Sequence, residues 1–242
     1  SFSNVTVKNV TCWSCQRKAI LRQVFVISGR IMTVALQASE GVLVARYLQY
    51  MLDFMAQRGV SGQSLLADTG LHADDLRNHP DYLVSLPAFL RTMENLHRLD
   101  TSPTLSLELG AMLTIGSHGF LGYAVQASPN LAEALLLVNR YALTRTQLMQ
   151  ISFLPAGDSV TLEITDHGLL GPWFPHVIEA MLGSFHAIAS ELFPDFSHDG
   201  VNMQFSFPEA PQHMLLRLLV QGRVQFDCAV TRIQFPLALL AR

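Results

Sequence analysis

The sequence predicts an α+β fold: an N-terminal helical half packed on a C-terminal antiparallel sheet with one crossover helix. Three observations predict it. Up to about Tyr141 apolar residues recur at helical spacing, as at Leu131, Ala134, Leu135 and Val138. From Thr144 the period shortens to two, cleanest where Val160, Leu162 and Ile164 alternate with Thr161, Glu163 and Thr165. Inside that strand-rich half one helical stripe runs through Ile178, Met181, Leu182, Phe185, Ile188, Ala189 and Leu192.

Residues 1–31 stand apart. They hold Lys8, Arg17, Lys18, Arg22 and Arg30 and no acidic residue, and the first methionine is Met32. Three readings stay open for this basic N-terminal extension: a mis-assigned start with native translation from Met32, a tag-proximal or processed end, or a transit-type or regulatory extension. The apolar run Val24–Ile27 is too short for a secretory h-region. Cys12 and Cys15 form a C-x-x-C with no second pair nearby, which reads as incidental rather than as a zinc or redox site. The regulatory domain is expected over 32–242.

Val44, Tyr47, Leu48, Met51, Leu52 and Met55 form the stripe of a helix from Leu43 to Arg58, stopped by Gly59. A short helix from Gly62 to Asp68 follows, stopped by Gly70. This pair imitates a DNA-binding helix-turn-helix. Its second part offers Gln63, Asp68, Asp74 and Asp75 instead of the basic and amide side chains that read base edges, so it reads as a packing hairpin. Further helices are expected from Pro87 to Arg98 and from Leu105 to Thr114. A glycine turn holds Gly116, His118, Gly119 and Gly122; a helix then opens at Ser128-Pro129, with Glu133 in its first turn.

In the second half, Thr144–Leu154 reads as a strand and Pro155–Asp158 as a hairpin turn. A strand through Val160–Ile164 follows, then a Gly/Pro loop from Gly168 to Pro175 and the long helix ending at Pro194. Val201, Met203, Phe205 and Phe207 alternate as a third strand. A short helix at Leu215–Val220 and strands at Gln221–Asp227 and Thr231–Phe235 close the chain.

Composition bounds the function. Half of the 242 residues are hydrophobic and 14% are charged, which suits a large core and argues against disorder. No apolar run reaches a membrane-spanning length. Three cysteines make no disulfide framework, and a reducing cytoplasm suits them. Residues 32–242 carry 11 basic and 19 acidic side chains, a formal charge of −8, so DNA contact is not expected there. No G-x-S-x-G, H-E-x-x-H, Walker loop or G-x-G-x-x-G is present, and no enzyme, cofactor or metal is expected. Cys228 reads as a small core residue.

The stretch from Leu107 to Arg145 also carries a resemblance. Leu109-Gly110, the turn Gly119-Phe120-Leu121-Gly122-Tyr123, Ser128-Pro129, Glu133-Ala134-Leu135 and Arg140-Tyr141 resemble the N-terminal effector-binding domain of AraC-type transcriptional regulators. The upstream Gly59-Val60-Ser61, Leu65-Leu66 and Gly70-Leu71 fit too, and the likeness runs from about Val42 to Leu240. It implies a ligand-sensing regulatory domain of a bacterial-type, cytoplasmic regulator. It also implies a small-molecule effector, homodimerisation, and DNA binding through a C-terminal helix-turn-helix half absent from this chain. Some effector domains of this kind are jelly-roll sandwiches; the helix-rich first half departs from that. The rival is a free-standing small-molecule or haem carrier.

A sensor needs an apolar pocket with a few convergent polar groups. The expected place lies between the glycine turn, the Gly/Pro loop and the sheet. Tyr123, Trp173 and Phe174 are the candidate walls, and His118, Arg145 and His176 the candidate head-group contacts. The plainer reading of the same residues is core aromatics and a surface-paired arginine. His176 and His186 lie ten residues apart on one helix and form no i, i+4 metal pair.

Overall fold

The computed structural model of the chain describes residues 41–156, 158–166, 168–192, 199–220, 223–236 and 238. The basic segment 1–31, with Cys12 and Cys15, lies outside the described residues.

The architecture is α+β. Strand β1 (Gly41–Val44) leads directly into helix α1 (Ala45–Gln57). The helical stripe predicts a start at Leu43, but Val42, Leu43 and Val44 are extended and buried as a strand. β1 pairs antiparallel with β2 (Leu83–Ser85), in the register Leu43 to Val84 and Val44 to Leu83. The helix-period pattern concealed this ribbon because three successive buried apolar residues fit either period.

Between the two strands lie α2 (Gly62–Leu65) and α3 (Ala73–Asn78). The helix-turn-helix imitation is a packing device. Phe54, Met55, Leu65 and Leu66 are core residues, and α2 is a single turn. The Asn95 side chain donates to the Leu65 and Ala67 carbonyls at 3.0 and 2.8 Å, which fixes the turn from below. Helix α4 (Leu86–Leu99) starts where the Ser85 hydroxyl accepts from the Ala88 N–H, with Pro87 in the first turn.

Helix α5 (Leu105–Ala111) leads through a 3₁₀ turn at Ile115–His118 into α6 (Phe120–Gln126) and α7 (Leu131–Tyr141). The expected glycine turn thus contains a helix of its own. Gly119 has φ +60°, a left-handed conformation that caps the turn and starts α6. Gly122 disguised this helix in the sequence, since glycine disfavours helix; here it lets the Ile115 carbonyl approach. Helix α7 starts later than expected. Asn130, not Ser128, is its cap, accepting from the Glu133 N–H at 2.9 Å, while the Ser128 hydroxyl donates back to the Ala124 carbonyl. Either residue type serves as a cap, so the sequence did not separate them.

The larger sheet has five strands in the order β3-β4-β7-β5-β6. They are β3 (Gln150–Ala156), β4 (Ser159–Thr165), β5 (Asn202–Gln204), β6 (Val224–Gln225) and β7 (Thr231–Pro236). The β3–β4, β4–β7 and β5–β7 pairs are antiparallel, as expected; β5–β6 is parallel. The exception follows from helix α9 (Met214–Leu219), which carries the chain back across between β5 and β6. Residues 145–147, within the stretch expected to start β3, instead follow β1: Val44 N–H donates to Arg145 O, and Gln147 N–H to Val42 O. The long helix α8 (Phe174–Leu192) packs closely on α5. No helix among the described residues is long and apolar enough to cross a membrane.

Candidate functional site

Two helical stripes that the sequence displayed do not end in close-packed core. Leu131, Leu135 and Val138 of α7, and Met181, Phe185, Ile188 and Leu192 of α8, face a cavity of about 350 Å³. Leu162, Met203, Ile233 and Phe235 close it from the sheet, and Leu109, Ile115 and Leu121 from α5 and the glycine-turn region. This size and lining suit a small molecule with a largely apolar body.

Few polar side chains reach the wall. Tyr47, Ser106, His118, Arg145, Thr146, His176, Ser184 and His186 do; no aspartate or glutamate is among the described lining residues.

His118 sits at the end of the 3₁₀ turn and is tied at both ring nitrogens. Its Nδ1 lies 2.9 Å from the Tyr47 hydroxyl and its Nε2 3.1 Å from the Ser184 hydroxyl. Ser184 spends its own proton on the Leu113 carbonyl at 2.6 Å. The chain of bonds therefore has one direction: Tyr47 O–H donates to His118 Nδ1, and His118 Nε2–H donates to Ser184. Burial, assisted by the Arg145 charge, lowers the His118 pKa to about 4 and keeps the ring neutral. Burial likewise raises the Tyr47 phenol, with the Arg145 charge opposing.

Arg145 is placed by the pairing of its backbone with β1. Its side chain is 12% exposed, and its guanidinium lies over the Tyr47 ring, 5.8 Å from the centroid, and against Gly119. One long contact of 3.4 Å reaches Asp81 Oδ1. Its Nε and Nη2 are buried and make no hydrogen bond among the described residues.

His176, in the first turns of α8, belongs to a second cluster that touches the cavity wall. Its Nδ1 stands 3.3 Å from both Ser106 Oγ and Glu179 Oε2. Glu179 is 1% exposed and also accepts from Gln212 at 3.2 Å and His213 Nε2 at 2.8 Å. His213 Nδ1 accepts from the Ala210 N–H, which fixes its tautomer. Burial pushes the Glu179 carboxyl up, but the bonds from His176, Gln212 and His213 outweigh it, and its pKa is lowered. His97 lies beside His176 with the rings tilted and their centroids 4.0 Å apart, and burial together with that neighbour lowers its pKa to about 4. No group of three His, Cys, Asp or Glu residues among the described ones has a metal-holding arrangement.

Of the six residues singled out from sequence, His118, Arg145 and His176 line the cavity and the other three do not. Tyr123 is 61% exposed on α6 and faces away. Trp173 stacks on His97, and Phe174 meets Phe207 edge-on and borders a separate hollow of about 210 Å³. Tyr47, Ser184, Glu179 and His213 were missed. Tyr47 counted only as part of an apolar stripe. Glu179 carried a usable signal, as a carboxylate beside Ile178 in a helix whose face is otherwise apolar.

A helix-walled apolar cavity closed by a small sheet, with a few inward polar groups, is the build of an effector-binding regulatory domain. The family model for the arabinose-binding domain of AraC transcription regulators (N-terminal) matches residues 59–242, and the chain belongs to that family. It is 27% identical over 167 residues to the ornithine utilization regulator of Pseudomonas aeruginosa, covering 69% of this chain and 48% of that protein. The chain thus spans about half the length of the curated relative it matches. The crystal structure of the transcriptional regulator CdpR from Pseudomonas aeruginosa superposes with a TM-score of 0.53 at 16% identity, covering 84% of this chain and 58% of that one, a likeness of fold. Both matched proteins are named as regulators, CdpR as a transcriptional one.

Proposed function

We propose that this domain senses a small molecule bound in the 350 Å³ cavity and thereby controls a helix-turn-helix DNA-binding half of a cytoplasmic, homodimeric regulator. The observation that carries this is the cavity itself, flanked by the stripes of α7 and α8, in a chain of this family. The formal charge of −8 over residues 32–242 supports assigning DNA contact to another part of the regulator. In this reading Arg145 and His176 contact the ligand, and His118 holds Tyr47 and Ser184 in place.

Thermal unfolding of the 242-residue chain against a small-metabolite panel tests it. A ligand at 100 times its Kd adds about 2.7 kcal/mol, a rise of several degrees. The expected result is a stabilising ligand whose effect disappears in Ala134→Trp, where the indole fills the cavity beside Leu135. A ligand that stabilises Ala134→Trp equally binds elsewhere and sinks the proposal.

A further inference from the structure

We propose that the cavity takes a molecule with one carboxylate head group and an apolar body bearing no ammonium, and that Arg145 holds the head. This deepens the preceding proposal and rests on the cavity being the effector site.

Arg145 forms an incomplete ion pair. A guanidinium presents five N–H donors in a planar fork and cannot shed its proton. Burying such a charge is unfavourable unless its donors are paired. Arg145 is 12% exposed at its side chain, yet its described partners are the long Asp81 contact and Tyr47, whose ring face it covers and whose hydroxyl oxygen accepts from it. Asp81 is itself 73% exposed and well solvated, so it neutralises the charge weakly. The buried Nε and Nη2 are left without an acceptor among the described residues. A carboxylate is the planar, two-oxygen group that fits such a fork.

The rest of the wall narrows the class. His118 is spent at both nitrogens, and the Tyr47 proton is spent on His118, so neither offers a free donor. Arg145 is the one arginine or lysine among the described lining residues. An ammonium would need a carboxylate partner, and the described lining has none. Glu179, the buried carboxylate of α8, is already saturated by His176, Gln212 and His213. Beyond the arginine, the polar side chains of the described wall are hydroxyls and histidines, none of them a carboxylate, and the rest is hydrocarbon, as at Leu135, Val138, Phe185 and Ile188. A second charged or zwitterionic end would be desolvated there without compensation.

The test is displacement of an uncharged fluorescent probe, N-phenyl-1-naphthylamine, from the 242-residue chain. Competitors are octanoate, decanoate and 4-phenylbutyrate, set against decanol, decanamide, decylamine and L-ornithine. The expected result is displacement by at least one carboxylate at a concentration at least about tenfold below that of any alcohol, amide or amine. In Arg145→Met that advantage falls to about onefold while probe binding, which confirms an intact fold, is retained. Arg145→Lys keeps an intermediate advantage. Equal displacement by acids and alcohols, tighter binding of decylamine or ornithine, or an acid preference that survives Arg145→Met overturns the proposal. Probe that binds and is blocked by Ala134→Trp, with no carboxylate displacing it, overturns the carboxylate class while leaving the cavity as a binding site. Probe that fails to bind, or binds Ala134→Trp unchanged, removes both readings.

Discussion

Gly110 lies so close to Ala180 that a Cβ on the glycine would stand 2.0 Å from the Ala180 carbonyl oxygen. The relation is reciprocal, since a Cβ at Gly183 would stand 2.3 Å from the Leu107 carbonyl. Helices α5 and α8 therefore touch backbone to backbone. The colliding atoms are main chain and cannot rotate aside. Gly110→Ala is expected to destabilise the domain by about 2–4 kcal/mol, above an ordinary overpacking penalty. Urea unfolding measures it, and a shift under 1 kcal/mol would show that the helices part easily. Because α8 supplies much of the cavity wall, probe binding is expected to weaken in the same variant.

Asn95 ties the N-terminal core together from within α4. It is fully buried, and its amide donates to the Leu65 and Ala67 carbonyls. Removing it strands both acceptors away from water. Asn95→Ala is expected to cost about 2–3 kcal/mol, and Asn95→Asp more, since a carboxylate has no donor to offer. An Asn95→Asp variant as stable as wild type at pH 7 would contradict the hydrogen-bond assignment.

How much of this was legible in the sequence follows from what each signal can encode. The stripes of α1 and α8 and the alternation of β4 survived because one face of each meets apolar surface over several turns or residues. The ribbon β1–β2 was hidden because Val42–Val44 is apolar at every position. Helix α6 was hidden by Gly122, whose reason for being glycine is a tertiary contact with the Ile115 carbonyl. The site divided along the same line. Arg145 and His118 lie beside the glycine turn, where a local pattern draws attention to them, and both line the cavity. Tyr47 lies 71 residues from His118, and no local pattern joins them. Trp173 and Phe174 are attractive as aromatics, but aromatic identity says nothing of direction; neither lines the cavity, Trp173 stacking on His97 and Phe174 meeting Phe207 edge-on.

Stability should fall with acid in a definite window. His97 and His118 have pKa values lowered from 6.5 to about 4, burial being the first cause in both. Between those values the unfolded chain binds protons that the folded one refuses, so stability drops as pH falls below about 6.5 and levels off near 4. Each full shift corresponds to roughly 3 kcal/mol at most. His118→Gln is expected to be less stable than wild type at pH 7 but to lose less between pH 6.5 and 4. Unfolding free energies measured across that range check it; parallel pH curves for the two proteins would count against a buried neutral His118.

The carboxylate of Glu179 joins α8 to the turn before α9 through His213 and Gln212, and meets the cavity wall through His176. Its bonds hold it ionised, so its contribution is present above the ordinary glutamate range and is lost as pH falls through the lowered value. Glu179→Leu leaves the donors of His176, Gln212 and His213 unmatched in a nearly water-free place and is expected to cost about 3–5 kcal/mol. Glu179→Gln keeps one acceptor and the shape, and is expected to cost about 1–3 kcal/mol. The order of the two variants is the decisive measurement. A leucine variant more stable than the glutamine variant would mean that this site tolerates hydrocarbon, and that the two histidines find other acceptors when the carboxylate is gone.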